Sequence, residues 1–216
     1  MKVEIYSDVV CPWCSIGKRR FEKALAAFPG AADVEVVFRP FQLNPDASAA
    51  GEPSARVYER KFGRPAQSIF APLTEAAAAE GITFRMDDAV ATNTFEAHRL
   101  IWFAGHHGRQ QQSAVKEGLL AHYFTDGGHL GDHAALTEIA VAAGLDRAEV
   151  AAFLASRDGV DEVRAELGEA ARLGITSVPT FVFDGEVAVA GAQSPELLLE
   201  VMTKVAARAA AAPADV

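Results

Sequence analysis

Residues 7–20 read SDVVCPWCSIGKRR and hold both cysteines of the chain, Cys11 and Cys14. Just before them, KVEIYSD alternates apolar Val3 and Ile5 with polar neighbours, as a strand does. Pro12 follows Cys11 directly, and proline suits the first helical position, where its missing N–H had no partner to lose. The segment therefore predicts a strand, a tight turn and a helix that runs to about Phe28, with Pro29-Gly30 as its stop. Cys11 then caps that helix, and Cys14 lies one turn in.

This placement weighs the roles open to two cysteines so spaced. A structural disulfide across so short a loop constrains the unfolded chain little. Two cysteines are half a tetrahedral zinc site. The histidines (His98, His106, His107, His122, His129 and His133) bring no further cysteine with them, although His129 and His133 sit four apart. No metal is expected. A thiolate at Cys11 instead meets the positive end of the helix and the N–H groups of Trp13 and Cys14, which favours the ionised sulfur. Cys11 reads as the attacking thiol and the shielded Cys14 as the resolving one. Pro12 adds no N–H beside the sulfur, and Trp13 offers an apolar face to a substrate. Asp8, three residues before Cys11, reads as solvated or capping.

Half of the 216 residues are hydrophobic, enough for one large domain or a domain with an insertion. Lys and Arg total 20 against 29 Asp and Glu, a net charge of −9, which argues against nucleic acid or anionic lipid as partners. No apolar run approaches the roughly 18 residues that span a bilayer. MKVEIYSD lacks the features of a signal peptide, so a cytoplasmic location is expected. A thiol pair there is more often catalytic or metal-binding than structural.

VEVVFRPFQL is near-continuously apolar, like a buried strand. NPDASAAGEPSA, residues 44–55, reads as a loop. From Arg56 to about Ser156 the pattern is helical, with no convincing strand and four to six helices. Asn93 with Glu96 has capping-box spacing, as has Asp146 with Glu149. Asp132 suits a helix start and Gly144 a stop, and His106-His107 between two glycines looks like a turn. DEVRAELGEAARLG is a helix ending at Gly174, and PTFVFDGEVAVAG is a hairpin around Asp184-Gly185. Ser194 and Pro195 open a last helix, and the tail AAPADV is expected to fray.

The order β-α-β, helices, α-β-β-α is that of the thioredoxin fold with an all-helical insertion. DVVCPWCSIG, NTFEAHRL, GITSVPTFVFDG and VAGAQSPELL together resemble the FrnE-type branch of the DsbA-like thiol-disulfide oxidoreductases. The resemblance implies an α/β thioredoxin core over residues 1–43 and 157–212, and a helical lid over 44–156. It implies a protein dithiol-disulfide oxidoreductase that cycles a Cys11–Cys14 disulfide. The substrates would be protein disulfides or small thiols, with no cofactor beyond the disulfide and glutathione or another thiol as reductant. It also implies a cis bond between Val178 and Pro179, facing the cysteines and leaving the Val178 backbone open to a docking strand. The same fold carries 2-hydroxychromene-2-carboxylate isomerases and kappa-class glutathione transferases. Those have a hydroxyl residue in place of Cys11. A glutathione-dependent isomerase or transferase, or a peptide-binding chaperone-like module, therefore stands as the alternative. Each histidine reads as a surface or satisfied core residue, and His98 on the NTFEAHRL helix is the candidate among them to face the active site. Phe95, Trp102, Phe103, Tyr123 and Phe124 are candidates to line a groove. The cysteine-free insertion is expected to shape substrate choice rather than the redox step.

Overall fold

A computed structural model of the chain describes residues 1–211. Lys2–Ser7 (β1) is buried at Val3, Ile5, Tyr6 and Ser7, on both of its faces, because it runs through the middle of the sheet. Glu35–Pro40 (β2) pairs with it in parallel, Ile5 opposite Phe38. Thr180–Phe183 (β5) pairs with its other side antiparallel, Ile5 opposite Phe181, and Val187–Ala190 (β6) completes the order β2-β1-β5-β6. Pro12–Ala27 (α1) links the two parallel strands. Its Phe21 stacks on Phe181, with ring centroids 5.5 Å apart. Val160–Arg172 (α8) precedes the β5–β6 hairpin and Pro195–Ala211 (α9) follows it. The α/β thioredoxin arrangement is as expected.

The hairpin turns at Asp184 (φ 48°) and Gly185 (φ 72°), and Glu186 N–H donates to the Phe183 carbonyl. Asp184 also accepts from Lys2 N–H at 2.6 Å, which explains a non-glycine residue with positive φ there. Ser194 caps α9 as read, accepting from Leu197 N–H. The expected fraying of the tail falls on residues 212–216, outside the described residues, apart from Ala211 in α9.

Six helices lie between β2 and α8: Ser54–Phe62 (α2), Ala66–Ala79 (α3), Phe95–His107 (α4), Arg109–Phe124 (α5), His133–Ala142 (α6) and Arg147–Ala155 (α7). The stretch is not free of strand. Glu52–Pro53 (β3) pairs with Val90–Ala91 (β4). Two residues, one of them a proline, carry no readable period. The Asn93–Glu96 capping box does not form. Asn93 instead accepts from Phe95 N–H, Thr94 becomes the capping residue, and Glu96 is drawn to Arg99 at 2.6 Å. His106 and His107 are the last turn of α4 rather than a loop, and the chain turns at Gly108 (φ 141°). Asp132 and Asp146 cap α6 and α7 as read. Among the described residues, no helix is long and apolar enough to cross a membrane.

The helical block is held to the sheet by polar contacts at defined places. Lys18 and Arg19 of α1 meet Glu117 of α5, each at 2.6 Å, and Arg20 and Lys23 meet Glu80 just past α3. The edge strand β2 is closed by a side chain. Gln112 Oε1 accepts from Phe38 N–H at 2.9 Å, and Gln112 Nε2 donates to the Phe38 carbonyl at 3.3 Å. One amide thus satisfies both backbone groups of a buried residue, as a neighbouring strand does.

Gln112→Leu keeps the volume and removes both partners. The expected loss is about 2–6 kcal/mol, from two buried backbone groups at roughly 1–3 kcal/mol each. Urea unfolding measures it. A midpoint unchanged from wild type would show that water reaches Phe38.

Candidate active site

Cys11 stands at the N-cap of α1 with extended backbone (φ −91°, ψ 114°), and Pro12 is the first helical residue. The sulfur does not take the capping role the sequence suggested. Cys14 N–H donates to the Cys11 carbonyl at 3.0 Å, and no side-chain hydrogen bond caps the helix. Cys11 Sγ lies 3.7 Å from the Val178 carbonyl oxygen, to which it donates. The Val178–Pro179 bond is cis. The Pro179 ring sits against Gly17 of α1, where an added Cβ would come within 2.8 Å of its Cγ. Glycine therefore lets the Val178–Pro179 loop reach Cys11.

Both thiols are free and nearly buried, Cys11 at 4% and Cys14 at 2% exposure. They differ in what they face. Cys11 opens onto a cavity of about 720 Å³, and Cys14 does not line it. Pro12, Trp13 and Val178 line that cavity with Cys11, whereas Pro179 stands behind Val178. Trp13 is 44% exposed at the rim, as an apolar platform should be. A second cavity of about 260 Å³ lies beside β2, along His98, Trp102 and Gln112, and no cysteine lines it. Of the insertion's aromatic candidates only Tyr123 lines the cysteine cavity. Phe124 stacks on Phe84, and Phe103 on Phe153. Tyr58 of α2, which the sequence did not single out, also lines it, and burial keeps its hydroxyl protonated far above the usual range.

Asp8 is neither solvated nor a helix cap. It is wholly buried, and its carboxylate accepts from Val9 N–H at 2.8 Å, Leu43 N–H at 2.7 Å and His98 Nε2 at 3.2 Å. Burial alone would raise its pKa. The His98 contact, the Leu43 N–H and the charge of Lys116 outweigh burial and hold the carboxyl below its ordinary value. His98 thus does reach the site, through Asp8.

Lys116 of α5 was missed. A lone lysine in a helical pattern reads as solvated, and nothing nearby in sequence signals its burial. It is 1% exposed, and its charge bears on Cys14, Asp8 and Cys11. Burial lowers its pKa to about 8, against the pull of Cys14, Asp8 and Cys11. Burial likewise pushes the Cys14 thiol well up, and the neighbouring Cys11 adds to the rise. The Lys116 charge and a backbone hydrogen bond at Asp8 oppose it. The arrangement is an open thiol, an inner thiol reluctant to ionise, and a buried cation and carboxylate beside the inner one. Among the described residues, no group of three or more His, Cys, Asp or Glu is placed to hold a metal ion.

Residues 2–203 match the family described as the DSBA-like thioredoxin domain. Protein YwbO of Bacillus subtilis (strain 168) is 30% identical over 199 residues, 90% of this chain and 92% of that protein. The crystal structure of a probable DsbA oxidoreductase from Streptomyces coelicolor superposes with a TM-score of 0.91 at 40% identity, covering 100% of this chain and 93% of the other. A 2-hydroxychromene-2-carboxylate isomerase shares the fold at 20% identity, with a TM-score of 0.74 over 97% of this chain and 98% of its own.

Gly17→Ala should push the Val178–Pro179 loop off Cys11. The expected cost is about 1–3 kcal/mol of overpacking, seen as a lower melting temperature together with slower thiol exchange. A melt and a turnover both equal to wild type would show that the loop yields freely. Lys116→Met removes a desolvated ammonium but leaves Asp8 short of a counter-charge, so its effect on stability is measured beside its effect on the chemistry. Cys14 meanwhile loses a cation that favours its thiolate, so its thiol becomes harder to ionise. Release of a mixed disulfide at Cys11 should then slow about three- to tenfold at pH 7, since a harder-to-form thiolate is also more nucleophilic. Lys116 carries its charge only below about 8. The gap between variant and wild type should therefore narrow as pH rises through 8. Stopped-flow release of the second thionitrobenzoate from dithiobis(nitrobenzoate) measures this. A gap constant from pH 6 to about pH 9.5 would assign Lys116 a purely structural part.

Proposed function

The chain belongs to the DSBA-like thioredoxin domain family, and we propose that it is a dithiol-disulfide oxidoreductase of the FrnE-type branch that cycles a Cys11–Cys14 disulfide. One observation carries the reading: of two cysteines a helical turn apart, Cys11 opens onto the cavity and Cys14 is sealed behind it. The Cys11 thiolate attacks one sulfur of a substrate disulfide, a Cys11–substrate bond forms, and the other half leaves as a thiolate. Cys14 then gives up its proton and attacks Cys11 Sγ, releasing the second half. The substrate gains two electrons and the pair is oxidised. A thiol reductant such as glutathione resets it, or the cycle runs in reverse and oxidises a dithiol.

Pro12, Trp13 and Val178 form the wall a substrate meets, and Pro179 backs Val178. Residues 44–156 act as a lid over residues 1–43 and 157–212. No cofactor beyond the disulfide takes part, and the protein works in the cytoplasm on protein or small-molecule disulfides. A glutathione-dependent isomerase is the second reading, favoured by the shared fold with the 2-hydroxychromene-2-carboxylate isomerase. Two cysteines in the position of one hydroxyl weigh against it.

Cys14→Ser should leave attack intact and remove release. Covalent adducts at Cys11 should accumulate in cells and dissolve on reduction, and Cys11→Ser should trap few or none. Release is normally fast because Cys14 is held within one helical turn. Non-reducing gels of the tagged variants, with bands identified by mass spectrometry, measure this. Equal trapping by both variants would end the assignment of ordered roles.

A further inference from the structure

The wall opposite Cys11 has a composition that thiol exchange alone does not require. Trp13, Leu43 and Phe62 are among the most exposed large apolar side chains of the protein, and all three line the same cavity. Its volume of about 720 Å³ is that of a small-molecule site, which typically spans roughly 300–1,000 Å³. A folded protein partner instead covers a broad face of about 800 Å².

Charge is placed within this apolar frame. The lining carboxylates are already engaged: Asp8 by its three hydrogen bonds, and Glu52 by the two terminal nitrogens of the Arg60 guanidinium, at 3.1 and 2.7 Å. Lys61 and Arg64 also line the cavity, and among the described residues neither has an ion-pair partner. They flank Phe62 at the turn from α2 to α3, where Gly63 (φ 67°) reverses the chain. On a chain of net charge −9, Lys61 and Arg64 put two cations without a carboxylate partner beside an exposed phenyl ring, with Lys61 Nζ 5.7 Å from the Phe62 ring centroid.

We propose that the substrate of this site is a small aromatic or otherwise apolar disulfide bearing carboxylate groups. Its apolar body lies among Trp13, Leu43 and Phe62, and its anionic end meets Lys61 and Arg64. This rests on the thiol-disulfide reading above and specifies its substrate. The chemistry is unchanged. Cys11 sulfur bonds to one substrate sulfur as the substrate S–S bond breaks, and Cys14 then displaces the second thiolate while losing its proton to solvent. Two electrons pass from the protein dithiol to the substrate. A charged cavity mouth raises the local concentration of an oppositely charged ligand, with rate gains of about 10–10³ that fall with ionic strength.

The test is single-turnover exchange by protein reduced beforehand with dithiothreitol and freed of it. Four probes are compared: dianionic dithiobis(nitrobenzoate), neutral dithiodipyridine, dicationic cystamine, and glutathione disulfide, which is anionic but polar. Each rate is divided by that of free dithiothreitol with the same probe, which removes intrinsic reactivity. The expected order is the dianionic aromatic first, by about tenfold over the neutral aromatic, with cystamine last. Added salt should shrink the difference. In the Lys61→Gln, Arg64→Gln double variant the ratio of dianionic to neutral rates should fall about tenfold. A ratio within twofold of wild type in that variant overturns the proposal. So does a normalised rate for glutathione disulfide above that of the aromatic dianion, which assigns the cavity to a polar tripeptide. Ready exchange with every probe and no preference among them also defeats it, and leaves the thiol-disulfide reading standing. No exchange with dithiodipyridine by protein whose circular dichroism is native defeats both.

Discussion

A buried carboxylate organises this molecule. Asp8 leaves the end of β1 and takes hydrogen bonds from three parts of the chain: Val9 beside it, Leu43 beyond β2, and His98 on α4. An ionised carboxylate without water is costly, and removing one partner of a buried pair costs about 3–5 kcal/mol. Those contacts are therefore obligatory. They fix the turn that leads into Cys11, the exit of β2, and the seat of α4 on the sheet. Lys116 completes the charge balance from α5. The geometry at the sulfurs follows from a group three residues before the cysteine motif.

The sequence carried most of the fold because its strongest signals are local. Pro12 after Cys11, Pro29-Gly30 after the first helix, Asp184-Gly185 in the hairpin and Ser194-Pro195 before the last helix each act through backbone restrictions of one or two residues. Each appears in the structure where it was read. The errors came where distant groups overrule local preference. Glu96 has the spacing to close a capping box, but Arg99 claims it. Asp8 was read as solvated because its partners Leu43 and His98 lie 35 and 90 residues away. The pairing of Glu52–Pro53 with Val90–Ala91 is too short to leave a pattern.

The site was half legible in the same sense. Cys11, Cys14, Pro12 and Trp13 form one contiguous motif, and Val178 and Pro179 were reached through resemblance. The order of the thiols follows from helix geometry alone, since a residue one turn into a helix against the sheet is deeper than its cap. The groups that set how readily Cys14 ionises follow from nothing local. Lys116 belongs to a helix whose polar residues otherwise look solvated, and Gly17 matters only because the Pro179 ring comes back onto it from the far end of the chain.

These long-range contacts change what the helical insertion is for. Carrying no cysteine, it looked like a device for choosing substrates. Its α2 and the turn after it do form the far wall of the cavity. Its α4 and α5, however, send His98 and Lys116 to the floor of the site, where one holds Asp8 and the other opposes the rise of the Cys14 thiol. The two contributions come from different helices and reach different parts of the site. Lys61, Phe62 and Arg64 line the cavity, while His98 and Lys116 lie behind it, beside Asp8 and Cys14. Change in the α2–α3 turn can therefore alter the substrate without altering the chemistry. The α4–α5 pair is tied to the cysteines by a buried charge it must keep neutralised.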